Sequence, residues 1–312
     1  MSAALRFHGW QPETDDTMQT ENVAGKKQPV KGGGVCIYCG WDGGTDGLRD
    51  EHVVPYSLGG TTELLEASCT DCEAITSYLD GYMANAIFGQ LRSHLNLQSR
   101  SGHRDTLPAI IELADGQRAV DFATADHPYF LNMPIWRPPG VMRGAQISAG
   151  FGESGRFTYW YVPPTIRDMI GLEDGDIARI IDSSPAHNLN TFARGLAKIA
   201  YCNAVLKEGL DGFRPLVTPD LILGKYPNVP YFVGSDPTMP SPPYPRGSQH
   251  AVHAGSVNYR NLKLLTSAIR LFADSGAGDK GMPFYTVIYG AEGKRKVTPK
   301  RRLPRLPRKL LV

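Results

Sequence analysis

Two Cys-x-x-Cys pairs constrain this chain of 312 residues more than any other feature. Cys36 and Cys39 form the first pair, Cys69 and Cys72 form the second, and 29 residues lie between the pairs. Each pair can chelate a metal ion from a tight turn, and four thiolates favour a closed tetrahedral Zn(II) site. The spacing therefore predicts one structural zinc ion. The fifth cysteine, Cys202, lies in an apolar helical pattern and is interpreted as a buried hydrophobic residue.

The overall composition is that of a soluble globular protein, with 41% apolar and 21% charged residues. Five cysteines are too few for a disulfide scaffold in a chain of this length. The first residues lack the apolar core of a secretion signal, and no later segment approaches about 18 uninterrupted apolar residues. We therefore expect a cytoplasmic protein without a membrane partner.

The positive charge is concentrated at the C-terminus. Residues 293–312 contain nine Lys or Arg and no acid, so subtracting nine charges from the net +2 leaves −7 for the other 292 residues. Pro299, Pro304 and Pro307 disfavour helix, which predicts an extended arm. Spaced cations on such an arm suit nucleic-acid binding by counterion release, and a solubilising end is the alternative interpretation.

The region around the cysteines predicts the order strand, turn, strand, helix. LRDEHVVP favours a strand, SLGGTT a turn and LLEAS a second strand. From about Asp71 to Leu91 apolar residues recur at helical spacing, which indicates an amphipathic helix. A zinc ion bound by the four cysteines would clamp both strands against this helix in a unit too small to have its own core.

The remainder of the chain predicts an α+β arrangement, because strand patterns dominate and do not alternate with helices. PAIIELADGQRAVDFAT favours a hairpin with its turn at Asp115 and Gly116, and AQISAGFGESGRFTYWYV favours another around 153–155. Helices are predicted over 164–172 and 190–207, and later strands over YFVGS and PFYTVIYG.

One stretch carries a family resemblance. EHVVPYSLGG, with a Cys-x-x-Cys before it and ASC-x-x-C after it, resembles the HNH endonucleases of the ββα-metal fold, and more closely their four-cysteine zinc-binding branch. The similarity covers roughly residues 35–90. The resemblance implies a zinc-stabilised ββα-metal module in that span, and the strand patterns after it predict a separate α+β domain with hairpins. Boundaries are expected at 1–31 for a flexible leader, 32–104 for the module, 105–291 for the second domain and 292–312 for the basic tail.

The resemblance also implies roles for individual residues. His52 stands where the family has its general base, and a neutral imidazole, with an ordinary pKa near 6.5, can accept a proton from water at neutral pH. Glu51 stands where the family has a ligand of a divalent cation, usually Mg(II), with Mn(II) as a substitute.

Two motif positions depart from the family. The family has Asn or His shortly before the distal cysteines, but the segment TTELLEAS has neither, and Glu66 could take that role or be an exposed strand residue. After Cys72 the family has Asn or His, whereas this chain has Glu73, whose carboxylate can also bind Mg(II). We therefore predict Glu51 and Glu73 as cation ligands and His52 as the base.

The sequence thus predicts a metal-dependent endonuclease that hydrolyses DNA phosphodiester bonds. One alternative is a zinc-dependent nucleic-acid-binding protein in which the departures reflect lost catalysis. Another is a nuclease effector regulated by a ligand-sensing domain at 105–291. A pair of histidines in this domain, His250 and His253, could bind a metal ion, although the sequence offers no third ligand.

Overall fold

A computed structural model describes residues 11–12, 19–20, 27–97, 105–113, 116–161, 187–235, 249–273 and 282–295. These residues form a mixed α+β structure, as predicted. A small sheet and helix region around residues 36–94 carries the cysteines, and a separate β-rich region follows. The domain boundaries given above stay predictions.

Three short strands lie within the segment expected to be a flexible leader. β1 (Gln11–Pro12) and β2 (Gln19–Thr20) pair antiparallel with residues 251–256, and β3 (Lys27–Pro29) runs parallel to residues 63–65. The hydrophobic pattern does not indicate these strands, because they are held by backbone hydrogen bonds that need no apolar period.

The next two strands form the hairpin that carries His52. β4 (Arg49–His52) pairs antiparallel with β5 (Glu63–Ser68), which is the central strand of the sheet β3-β5-β4. The connecting turn needs glycine at Gly59, where φ is +89° and a Cβ atom would collide with the side chain of Gln249. The predicted Gly-Gly turn thus also permits close contact with a distant part of the chain.

The predicted amphipathic helix is present but interrupted. α1 (Thr70–Tyr82) continues into a π-helical segment, Met83–Ile87, and then into α2 (Gly89–His94). The Phe88 N–H donates to the Met83 carbonyl five residues earlier, at 3.0 Å, which is the π-helical pattern. Periodicity alone does not distinguish this interruption from a continuous helix.

Two hairpins begin the β-rich region. β6 (Thr106–Leu113) and β7 (Gly116–Ala123) form the first, as predicted. The prediction of a hairpin within 145–162 is wrong: β9 (Ser154–Tyr161) pairs instead with β8 (Tyr129–Trp136). Gly150 and Gly152 have φ values of +64° and +67°, so the segment before β9 cannot continue as an extended strand.

Helix α3 (Leu189–Glu208) confirms the helix predicted over 190–207. It is followed by α4 (Thr218–Ile222) and by four strands, β10 (Val233–Ser235), β11 (His250–Tyr259), β12 (Leu262–Leu271) and β13 (Tyr285–Ala291). These strands form a sheet in the order β1-β11-β12-β13-β10. Short 3-10 turns occupy Gly44–Asp46, Tyr56–Leu58, Thr124–Asp126, Gly140–Arg143 and Val229–Tyr231. The helix predicted over 164–172 and the basic tail from residue 296 onward lie outside the described residues.

Helix α3 lies between the cysteine-bearing region and the large sheet. The Asn188 side chain caps its N-terminus by accepting from the Thr191 N–H at 3.0 Å. Its buried side chains, including Phe192 and Tyr201, join one apolar cluster that runs from Cys36 to Tyr289. Cys202 is fully buried there, as predicted. No helix in the described part of the chain is long and apolar enough to cross a membrane.

Candidate active site and metal centre

The four cysteines of the two pairs converge on one point. Their Sγ atoms all lie within 4.8 Å of one another, and the Sγ atoms of Cys39 and Cys69 are 3.7 Å apart. A Zn–S bond of about 2.3 Å in a regular tetrahedron implies sulfur–sulfur distances of about 3.8 Å. The cluster therefore fits the predicted structural zinc ion. It is the only such group of three or more potential metal ligands found among the residues described.

Local backbone geometry brings the two pairs together. The proximal pair closes a knuckle in which the Gly40 N–H donates to the Cys36 carbonyl at 2.8 Å. The Ile37 N–H, within that knuckle, donates to the Ala67 carbonyl of β5 at 2.8 Å. Because Cys69 immediately precedes helix α1 and Cys72 lies in its first turn, the distal pair faces the same point.

Close packing of the four sulfurs shapes their ionisation. Hydrogen bonding to Cys39 raises the pKa of Cys36, and hydrogen bonding to Cys36 raises the pKa of Cys72. A zinc ion would have to displace these protons to bind four thiolates, so metal binding is expected to release protons.

A cleft of about 330 Å³ lies beside the metal centre, between the β4–β5 hairpin and helix α1. It brings together all three residues predicted for catalysis, Glu51, His52 and Glu73. The other charged or amide side chains in its lining are Asp50, Asp80, Asn85 and Arg92. The β4–β5 hairpin and helix α1 thus form a polar, acid-rich cleft.

His52 ends strand β4 directly opposite Glu63 of strand β5. Its Nε2 atom lies 3.0 Å from Glu63 Oε1, and Glu63 Oε2 lies 2.9 Å from Lys27 Nζ on β3. A carboxylate that accepts a hydrogen bond from the Nε2–H group of a histidine favours one neutral tautomer of the ring. In that tautomer Nε2 carries the proton and Nδ1 carries the lone pair. Glu63 therefore orients the His52 ring and selects its basic nitrogen.

Glu51 is buried in the wall of the cleft, with only 5% of its surface exposed. Its Oε1 atom lies 3.0 Å from the ammonium of Lys198, and its Oε2 atom accepts a hydrogen bond from Thr76 Oγ1 at 3.0 Å. Both carboxylate oxygens are thus held in place by neighbouring donors.

Lys198 enters the site from helix α3, and its side chain is completely buried. Besides Glu51, its ammonium bonds to Asp80 Oδ2 at 3.0 Å and to the His52 carbonyl at 2.5 Å. Burial by itself lowers the pKa of Lys198, but Asp80 and Glu51 more than offset that effect and raise the pKa above its ordinary value. Lys198 therefore remains an ammonium and fixes the end of strand β4 against helix α1.

Glu73 lies in the first turn of α1 and is partly buried. Its position in the cleft lining is compatible with a cation ligand. Glu66 is exposed, has an unusual φ of +49°, and does not line the cleft. Its backbone N–H donates to Asp50 Oδ1 at 3.0 Å.

Sequence reasoning missed several residues of this site, namely Glu63, Asp80, Asn85 and Lys198. For Glu63 a signal was present, because residues at the two ends of a hairpin loop face each other. For Asp80 a signal was also present, because Glu73, Ser77 and Asp80 recur at helical spacing and therefore lie on one face of the helix. Lys198 carries no local signal, because its partners are more than 100 residues away.

His250, one of the two histidines considered as metal ligands in the β-rich region, serves another purpose. His250 Nε2 lies 2.8 Å from the Leu58 carbonyl, and His250 Nδ1 accepts from the Phe272 N–H at 3.3 Å. Both ring nitrogens are therefore used, and His250 has none to offer a metal ion. Instead, it connects the loop after His52 to the large sheet.

Comparison with known proteins identifies one segment. Residues 36–82 match the family model of the HNH endonucleases, which confirms the resemblance. The matched segment contains the four cysteines, His52, Glu51 and Glu73, whereas Arg92 and Lys198 lie beyond it. No curated protein and no solved structure matches the chain. The match indicates a nuclease-type function and a nucleic-acid substrate.

Proposed function

We propose that this protein is a metal-dependent endonuclease that hydrolyses phosphodiester bonds in DNA. The observation that carries the proposal is the placement of His52 in one cleft with Glu51 and Glu73, within the segment that matches the nuclease family. The four-cysteine centre has a structural role in this proposal, because a zinc ion with four thiolate ligands has no open position for catalysis.

His52 acts as the general base. Glu63 holds the Nε2–H, so Nδ1 takes the proton from a water molecule as the water oxygen attacks the phosphorus atom. The new bond joins that oxygen to phosphorus, and the bond from phosphorus to the 3′ oxygen breaks. The 3′ oxygen takes a proton from solvent water, so the products are a 5′ phosphate and a 3′ hydroxyl. Glu63 also stabilises the imidazolium that forms.

Glu51 and Glu73 would hold the catalytic Mg(II) or Mn(II). Two carboxylates suit Mg(II), which commonly binds one or two carboxylates and takes water and phosphate oxygens for its remaining ligands. When bound, such an ion would neutralise the negative charge that develops on the leaving oxygen. Lys198 and Thr76 support this role by orienting the Glu51 carboxylate, as hydrogen-bond partners commonly do for metal ligands.

The charge distribution supports a nucleic-acid substrate, of which we propose DNA. The cleft has four carboxylates, and the chain outside residues 293–312 has a net charge of −7, so it would repel a polyanion. The nine basic residues of the tail supply the opposite charge. We propose that the tail holds DNA near the cleft.

Cleavage of a supercoiled plasmid tests the function. The wild type should nick or linearise the plasmid with Mg(II) or Mn(II) and lose this activity in EDTA, and His52→Ala should lower the rate by about 10²–10⁴-fold. His253→Ala is the matched control, because that histidine does not line the cleft. Glu73→Gln should lose most cleavage at low Mg(II) and recover partly as Mg(II) or Mn(II) is raised.

The outcomes separate the alternatives. Full cleavage by His52→Ala would remove the proposed base. DNA binding by the wild type without cleavage under any divalent cation would instead favour the non-catalytic nucleic-acid-binding protein.

A further inference from the structure

Among the described residues that line the cleft, Arg92 is the only Lys or Arg. The lining contains four carboxylates, Asp50, Glu51, Glu73 and Asp80. The buried Lys198 ammonium pairs with two of these, Glu51 and Asp80. A phosphate group entering the cleft would therefore meet one cation supplied by a lining side chain. That cation is the Arg92 guanidinium.

The Arg92 side chain is held in place by the π-helical segment. Its Nη1 atom donates to Asn85 Oδ1 at 3.0 Å and to the Ala84 carbonyl at 3.4 Å. Both partners are uncharged, and no ion pair joins Arg92 to a carboxylate of the described residues. The guanidinium keeps its full charge and has other N–H groups to donate.

The π-helical segment also explains why residue 92 reaches the cleft. An α-helix turns by about 100° per residue, so residue 91, 18 positions after Glu73, would lie above Glu73 in a regular helix. The wider turn at Met83–Ile87 takes up one additional residue, which moves residue 92 to that angular position. Accordingly, Leu91 is buried in the core and Arg92 lines the cleft.

We propose that Arg92 binds a phosphate of the substrate strand next to the phosphate that is cut. This inference rests on the proposed nuclease function and adds to it a substrate-binding residue outside the matched family segment. A guanidinium presents paired N–H donors that match phosphate oxygens, and its anchoring on Asn85 reduces the entropy lost on binding. Partial burial lowers the pKa of Arg92, because the surroundings remove water from the guanidinium.

The test measures binding of a short DNA duplex to full-length, zinc-loaded protein in a His52→Ala background, without added Mg(II) or Mn(II), over a range of salt concentrations. Adding Arg92→Gln should weaken binding about tenfold and reduce the slope of log K against log salt by about 0.9, the value for one phosphate contact. Arg92→Lys should retain the slope and part of the affinity. Arg143→Gln is the matched control, because Arg143 is also an arginine that donates to a backbone carbonyl but lies outside the cleft.

A second variant separates substrate binding from a structural role. Asn85→Ala removes the anchor and keeps the charge, so it should leave the salt slope unchanged and weaken binding less than Arg92→Gln. Equal losses from both variants with the wild-type slope would assign Arg92 to helix packing and overturn the proposal.

Cleavage by the active protein distinguishes this inference from the proposed function. Arg92→Gln should raise KM and change kcat little, because a neighbouring phosphate is held equally in the ground and transition states. A wild type that cuts DNA while Arg92→Gln has an unchanged KM and salt slope would overturn the inference alone. Weaker DNA binding by Arg92→Gln in a protein that never cuts DNA would overturn the nuclease and retain the phosphate site, and no binding by the wild type would overturn both.

Discussion

The cysteine-bearing region and the β-rich region are stabilised in different ways. The first, around residues 36–94, has strands of four and six residues and one cluster of metal-binding thiols. The second has paired strands of ten residues, β11 and β12, and the last eight residues of β12 are all buried. Both regions share one apolar cluster, but we expect a zinc ion at the thiol cluster to add stability to the small sheet, whereas the large sheet depends on apolar burial alone.

The difference also shows how the regions depend on each other. The cysteine-bearing region supplies every residue proposed for catalysis, but Lys198 and His250 of the β-rich region hold the ends of its His52 loop. The residues proposed for catalysis therefore belong to the cysteine-bearing region, and residues of the β-rich region help to position them.

Removal of the zinc ion should have the largest effect and should separate the two regions. Cys72→Ser should lose the metal, whose binding contributes on the order of 10 kcal/mol in small zinc-dependent folds. Hydrogen exchange should then show loss of protection in α1, β4 and β5, and retained protection in β11 and β12. Cys202→Ala is the control, because Cys202 is buried outside the thiol cluster and should leave one zinc ion in elemental analysis. Equal loss of protection in both regions would contradict the comparison.

Removal of the buried ammonium should have the next largest effect. Lys198→Met leaves Glu51 and Asp80 without their cation, so the free energy of unfolding should fall by about 3–5 kcal/mol in urea titrations. Lys263→Met, which breaks an exposed pair with Glu292, should cost less than about 1 kcal/mol. Similar losses from both variants would mean that the two regions are not joined through Lys198.

Acid should weaken the His250 contact by a smaller amount. Burial lowers the pKa of His250 to about 4, below its ordinary value of 6.5, so the unfolded chain binds the proton more readily. The stabilisation is complete above about pH 6.5 and is lost as the pH falls toward 4, with a total of about 3 kcal/mol.

Comparison of unfolding free energies from pH 7 to pH 4 checks this prediction. With zinc present for both proteins, the wild type should lose more stability than His250→Gln, because the thiol cluster contributes equally to each. Parallel pH curves would show that His250 is not the titrating contact.

The sequence predicted the chemistry of the first region better than the topology of the second. Cysteine spacing is a local signal, and the four thiols meet as expected. Helix α3 and the β6–β7 hairpin follow from local periodicity and were predicted correctly. The pairing of β8 with β9 was missed, because neighbouring strand patterns do not indicate a partner across the intervening glycine-rich segment.

The candidate site shows the same limit. Glu51, His52 and Glu73 carry a local motif, and the structure brings them into one cleft, although their catalytic roles stay predictions. Lys198 lies in an apolar helix pattern that indicates burial but not the carboxylates that neutralise it. The placement of Arg92 depends on a π-helical turn, which an amphipathic pattern does not reveal.

The distance along the chain between His52 and Lys198 has a consequence for synthesis. Their contact spans 146 residues. At about 5–20 residues per second, a ribosome would need roughly 7–30 s to reach Lys198 after making His52. During that interval a nascent chain has the catalytic motif but lacks the Lys198 ammonium, which holds the His52 carbonyl and the Glu51 carboxylate. A cell that makes this protein would therefore encounter the assembled cleft only after most of the chain has been translated.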